Sequence, residues 1–90
     1  MDITQIPSIE FDIYPNPASD FANLSLNMES EGDVSISLLN AIGQEVFYSK
    51  DTYKSGVNSV KIDLNGLEAG VYLYTVESEN FAKTKRLVVK

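Results

Sequence analysis

The chain has 90 residues, 43% of them hydrophobic, a formal net charge of −6, and neither cysteine nor histidine. That length supports one small domain, which buries only about 60–65% of the surface its unfolded chain exposes and leaves little room for an enclosed active site. Without Cys there are no disulfides or thiolate metal sites, without His the commonest metal ligand and neutral-pH acid–base group are missing, and an acidic body excludes the broad basic face of a nucleic-acid binder.

The apolar content is that of a globular chain, and no run of about 18 apolar residues is present to span a membrane as a helix. No charged-then-apolar leader opens the sequence, so an export signal would have to precede it. Residues 1–8 are expected to be a linker remnant, with Met1 an added start, and residues 9–90 the domain.

Period-2 alternation runs through the chain, the signature of strands with one buried and one wet face. Ile9, Phe11 and Ile13 alternate with Glu10, Asp12 and Tyr14. Pro15 and Pro17 remove two ladder donors and end this first strand by Tyr14, and Tyr14 and Asn16, each preceding a proline, are pushed toward extended geometry. Ala18-Ser19-Asp20 turns the chain. Ala22, Leu24, Leu26 and Met28 form the buried row of a second strand, and Val34, Ile36 and Leu38 that of a third after the tight turn Glu31-Gly32-Asp33. Asn40-Ala41-Ile42-Gly43 reads as a hairpin loop in which the Asn40 side chain bonds backbone two residues on and Gly43 takes the φ > 0 position.

A fourth strand is expected over residues 44–49. After Ser55-Gly56 comes a fifth, in which Val60, Ile62 and Leu64 face inward. Past the Asn65-Gly66 turn, Val71, Leu73 and Thr75 on one face and Tyr72, Tyr74 and Val76 on the other are both apolar-leaning, which marks a central strand. Residues 81–89 supply the seventh. Seven short strands with turn signals at this spacing predict an all-β, immunoglobulin-like or fibronectin-like antiparallel sandwich with Ile13, Leu26, Ile36, Leu38, Ile62, Tyr72 and Val89 in its core. Leu67-Glu68-Ala69-Gly70-Val71-Tyr72 fits a tyrosine corner, in which the phenol bonds back to the preceding loop; otherwise Tyr72 is simply a core aromatic.

Chemistry is sparse. Serines have no His to activate them, and no Gly-x-Ser-x-Gly elbow or glycine-rich phosphate cradle occurs. Glu29, Glu31 and Asp33 cluster in a turn; a solvated loop is the reading, with weak calcium ligation as the alternative. The Asn23-Leu24-Ser25 sequon lies mid-strand and is read as chance. Phe47, Tyr48 and Tyr53 form an exposed strip for a sugar or a partner only if Phe47 and Tyr48 both stay out of the core. No catalytic residue, cofactor, metal or small-molecule substrate is expected.

Charge is unevenly placed. Residues 1–79 hold all thirteen acids and three lysines, whereas residues 80–90 hold Lys83, Lys85, Arg86 and Lys90 and no acid. In the last strand Phe81, Lys83, Lys85, Leu87 and Val89 share one face, and Ala82, Thr84, Arg86, Val88 and Lys90 the other. Its lysines either protect an edge against wrong pairing or, with the edge itself, form a recognition strand.

Four segments fall in a specific order: Ile13-Tyr14-Pro15-Asn16-Pro17-Ala18-Ser19-Asp20, Leu39-Asn40-Ala41-Ile42-Gly43-Gln44-Glu45-Val46, Leu67-Glu68-Ala69-Gly70-Val71-Tyr72, and Lys85-Arg86-Leu87-Val88-Val89-Lys90. Together they resemble the type A C-terminal sorting domain of the type IX (Por) secretion system, over about residues 9–90. The resemblance implies that Pro15, Asn16, Pro17 and Asp20 match the first family motif, Gly43 the second (with Asn40 where the family often has Asp), Gly70 and Tyr72 the third, and Lys85, Leu87, Val89 and Lys90 the terminal one. It implies no catalysis. It places the domain at the end of a cargo protein fused on its N-terminal side, in the periplasm in transit to the cell surface or medium.

The implied partners are an outer-membrane β-barrel shuttle and a sortase that removes the domain. Partner contact is expected at Lys83, Lys85, Arg86, Leu87, Val88, Val89 and Lys90, and fold definition at the first three motifs. The rival reading is an immunoglobulin-like adhesion, spacer or carbohydrate-binding module of a surface protein, which would need chain continuing past Lys90 or an aromatic platform.

Overall fold

A computed structural model of the chain describes residues 9–79 and 81–90. The linker expected over residues 1–8 lies outside them. Seven strands follow in order: β1 (Glu10–Tyr14), β2 (Phe21–Met28), β3 (Gly32–Leu39), β4 (Glu45–Tyr53), β5 (Gly56–Asp63), β6 (Gly70–Ser78) and β7 (Phe81–Val89). They form a three-stranded sheet ordered β1-β2-β5 and a four-stranded sheet ordered β4-β3-β6-β7, with every pairing between strands antiparallel. This is the two-layer arrangement of an immunoglobulin-like sandwich.

The alternation in the sequence becomes the core. Phe11, Ile13, Leu24, Leu26, Val34, Ile36, Leu38, Ile62, Leu64, Tyr72, Tyr74, Val76, Leu87 and Val89 lie between the sheets, and all seven residues expected to be buried are among them. Phe11 packs edge-on to Tyr74 at 5.8 Å and to Phe81 at 6.3 Å between ring centroids, joining β1 to the opposite sheet. Burial and the nearby Asp12 carboxylate raise the Tyr74 phenol to about 12. Val60 is only half-buried, because β5 is an edge strand.

The turns form as their residues dictate. Asn40 Oδ1 accepts from the Ile42 and Gln44 amides at 3.1 and 2.9 Å, and Gly43 closes the loop at φ 85°. Tyr72 donates its hydroxyl to the Glu68 carbonyl at 2.6 Å, so the tyrosine corner is present. β4 is longer than residues 44–49: it pairs with β3 as far as Tyr53 opposite Gly32. Its second half, Lys50-Asp51-Thr52, is polar on both faces because it runs along the sheet edge, and alternation cannot reveal such a segment. A register shift at Leu38/Leu39 leaves Val46 as an extra residue beside the hairpin loop.

Ile36, fully buried, should lose about 2–5 kcal/mol of stability when truncated to Ala, the cost of deleted contacts plus a cavity, read by denaturant unfolding. For Tyr74 the sign is set by its raised pKa. The unfolded phenol ionises near its ordinary 10.0 and the folded one only near 12. The stability this group contributes is therefore present below pH 10 and lost as pH rises from 10 toward 12. Thermal midpoints followed across that range should fall less for Tyr74→Phe than for the unchanged chain.

Candidate functional site

The residues with distinctive chemistry gather at β7. This strand edges the four-stranded sheet and pairs in regular register with β6, from Ser78↔Phe81 to Gly70↔Val89. In a regular ladder one residue's N–H and C=O point to the same side, and the side alternates. Residues 81, 83, 85, 87 and 89 address β6; residues 82, 84, 86, 88 and 90 address the outer edge.

The last turn of that outer edge is occupied. The chain leaving β1 crosses from one sheet to the other and lies along β7 in parallel, with Ala18 bridging Val89. The Ala18 amide donates to the Val88 carbonyl at 2.8 Å, and the Lys90 amide to the Ala18 carbonyl at 2.7 Å. One step earlier the Asn16 side chain supplies the rung: its Nδ2 donates to the Arg86 carbonyl at 3.1 Å and its Oδ1 accepts from the Val88 amide at 3.0 Å. A carboxamide carries the same donor and acceptor as a peptide group, so Asn16 extends the ladder where its prolyl neighbours cannot. Ala18, 1% exposed, fills the space beneath.

The residues expected to make partner contact therefore divide. Leu87 and Val89 are buried, and Val88 is half-buried with both backbone groups engaged by the clamp. Lys85 turns toward the other sheet: its Nζ donates to the Phe11 carbonyl at 2.8 Å and sits 4.5 Å from the centre of the Phe11 ring. It seals the side of the sandwich between β1 and β7. Lys83, Arg86 and Lys90 are exposed. Sequence reasoning missed the Asn16 clamp and the Lys85 seal. An Asn bracketed by two prolines was the only local signal, and nothing in it names a partner 70 residues away.

Of the fold-defining positions, Pro15 and Pro17 are exposed and flank the clamp, and the Asp20 carbonyl accepts from the Leu64 amide at 2.9 Å. Gly43 and Tyr72 sit in the hairpin loop and corner described above, and Gly70 opens β6 opposite Val89. These segments, with Lys90, share one end of the sandwich. Ile9 lies at the other, in a shallow concavity with Met28, Glu29, Gly32, Asp33 and Glu79.

That concavity is acidic, but among the described residues no three carboxylates are placed to hold a metal ion. Asp33 accepts instead from the Thr52 hydroxyl. The aromatic strip does not assemble: Phe47, opposite buried Leu38, packs on the core, whereas Tyr48, opposite Ser37, points outward at 57% exposure.

The geometry defines an immunoglobulin-like domain whose first loop is tied to its final strand. The chain belongs to the secretion system C-terminal sorting domain family, whose model matches residues 12–90. Among solved structures it is similar to dimeric latent PorU from Porphyromonas gingivalis, with a TM-score of 0.75 and 21% identity over 99% of this chain and 10% of that one. Two structures of a β-glucosidase from Listeria innocua, one a mutant with laminaribiose and one with glucose, align with TM-scores of 0.50 at 14% and 13% identity, over 93% and 92% of this chain and 16% of theirs. At these identities the likeness is one of fold. The chain spans a small part of the length of each. No curated protein matches it at the level of sequence.

Asn16→Ala should cost roughly 1–2 kcal/mol, since it removes two hydrogen bonds at an accessible site where water takes over the freed groups. Amide exchange at Val88 should speed up by about an order of magnitude, the effect of one lost backbone bond. Lys90, held by Ala18, should change less; equal acceleration at both would mean that Asn16 does not act locally.

Proposed function

We propose that this domain is the C-terminal signal that directs a cargo protein through the type IX secretion system across the outer membrane to the cell surface or medium. The observation that carries this reading is the family match over residues 12–90. In this reading the cargo precedes residue 9, reaches the periplasm by its own signal, and is delivered by an outer-membrane β-barrel shuttle. A sortase then removes the domain. The separation of ends supports the arrangement. The cargo chain would enter beside Ile9, Met28 and Glu79, while β7 ends at Val89, with Lys90 beyond it, at the opposite end of the sandwich.

Recognition is assigned to β7, with its residues in different roles. Lys83, Arg86 and Lys90 are exposed and supply charge, which steers encounter and selects partners. Leu87 and Val89 act through the core, Lys85 by sealing the sandwich wall, and Val88 by accepting the clamp. Truncating the last residues therefore removes core, clamp and charge together. The carbohydrate-binding alternative is disfavoured because Phe47 and Tyr48 lie on opposite faces of β4.

Residues 9–90 fused behind a periplasmic reporter, in a host that exports its own type IX cargo, should carry the reporter to the cell surface or medium, while the unfused reporter stays in the periplasm. Retention of a folded fusion in the periplasm would overturn the assignment in favour of an adhesion or spacer module.

A further inference from the structure

We propose that the open stretch of the β7 edge, Ala82 to Arg86, accepts an extended, carboxylate-bearing segment of a partner protein as an added strand. This deepens the sorting-domain reading and, in its cellular arm, rests on it.

The alternation of the ladder fixes which groups are available. The clamp uses the Arg86 carbonyl, both groups of Val88 and the Lys90 amide. The β6–β7 register is regular, so the groups one and two steps earlier point the same way: the N–H and C=O of Ala82, those of Thr84, and the Arg86 N–H. Among the described residues their outward side has no strand beside it. Five main-chain groups at strand spacing form a template that an incoming strand pairs with directly. Its length is bounded at one end by the clamp and at the other by the β6–β7 turn, so the segment pairs over about five residues.

Charge selects this edge. Lys83 and Arg86 flank the template, exposed on opposite faces of β7, in a segment from residue 80 to 90 that carries no acid. A strand added here presents side chains alternately to both faces, so carboxylates at neighbouring positions meet both cations. The edges of β1 and β4 are blunted by the chain itself. On β1, Asp12 Oδ1 accepts the Ile13 amide at 2.9 Å and Lys85 takes the Phe11 carbonyl at 2.8 Å. On β4, Asp51 Oδ1 accepts the Thr52 amide at 2.9 Å, and Glu45 and Asp51 outnumber Lys50. An acidic strand is repelled there and attracted at β7.

Thr84→Pro isolates the edge. It deletes an N–H that points away from β6, where proline is tolerated in an edge strand, so the β6–β7 ladder is kept. Thr84→Val is its control, because both variants lose the 2.7 Å hydroxyl contact with Thr75. The purified chain is titrated with an extended peptide carrying two adjacent Glu residues between Val residues, which places one carboxylate on each face, while amide exchange is followed by NMR. Exchange at Ala82, Thr84 and Arg86 should slow, with Val88 and Lys90 unaltered.

Thr84→Pro should bind the peptide roughly tenfold more weakly than Thr84→Val, the effect of one backbone bond. The double variant Lys83→Glu with Arg86→Glu, which leaves backbone geometry alone, should bind more weakly too and at matched thermal midpoint. Absence of binding, protection at β4 or β5 instead, or equal binding by Thr84→Pro and Thr84→Val overturns the proposal. In the export assay, retention of the unmodified fusion refutes the sorting reading and leaves the peptide result standing. Export of the unmodified fusion together with undiminished export of Thr84→Pro refutes strand addition alone.

Discussion

The arrangement depends on one side chain doing the work of a peptide group. Asn16 reaches the Arg86 carbonyl and the Val88 amide, and Ala18 carries the ladder on to Lys90. Without this crossing of residues 16–18, β7 would have a single neighbour, β6, along its whole length. Leu87 and Val89, on the face turned inward, complete the core of a domain too small to lose two large apolar side chains. Edge strands with one neighbour open most easily, so a second neighbour over the last residues stabilises the part of β7 that the core needs most. Joining residues some 70 positions apart, the contact also ties the first loop to the last strand.

The same crossing governs what the sandwich offers to other proteins. Sheet edges are where β proteins add unwanted neighbours, and this chain blunts three stretches of edge with its own groups: Asp12 and Lys85 on β1, Asp51 on β4, Asn16 and Ala18 on the end of β7. Closing part of an edge defines the remainder. On β7 it confines the accessible main chain to a short segment beside Lys83 and Arg86, on a body that is otherwise acidic. Lys85, which reads in sequence as one more surface cation, is withdrawn from that display by its bond to the Phe11 carbonyl. Charge and backbone together thus give the final strand a direction: open and basic toward residue 82, closed toward residue 90.

A domain of this kind suits a sorting tail. Without cysteine it has no disulfide to hold it, and its motif segments are gathered away from Ile9, where a preceding cargo would join. The hairpin loop at Asn40–Gly43 and the Tyr72 corner hold the distal end rigid through local bonds, 2.9–3.1 Å in the loop and 2.6 Å in the corner.

Seven strands, their inward rows and their turns were legible in the sequence because each rests on near neighbours. Alternation sets the buried face of β2 and β3, Asn40 and Gly43 build their loop within five residues, and Tyr72 reaches only to Glu68. The end of β4 was hidden because Lys50, Asp51 and Thr52 lie on an edge, where neither face imposes a pattern. The basic final strand was visible as composition, but not which of its groups remain available. That Asn16 spans to Arg86 and Val88, that Lys85 points to Phe11, and that Phe47 and Tyr48 part to opposite faces are consequences of how the two sheets stack. Sequence spacing determines the period of a strand; only the tertiary structure decides which distant backbone lies beside it, because that depends on the packing of the whole core rather than on any local preference.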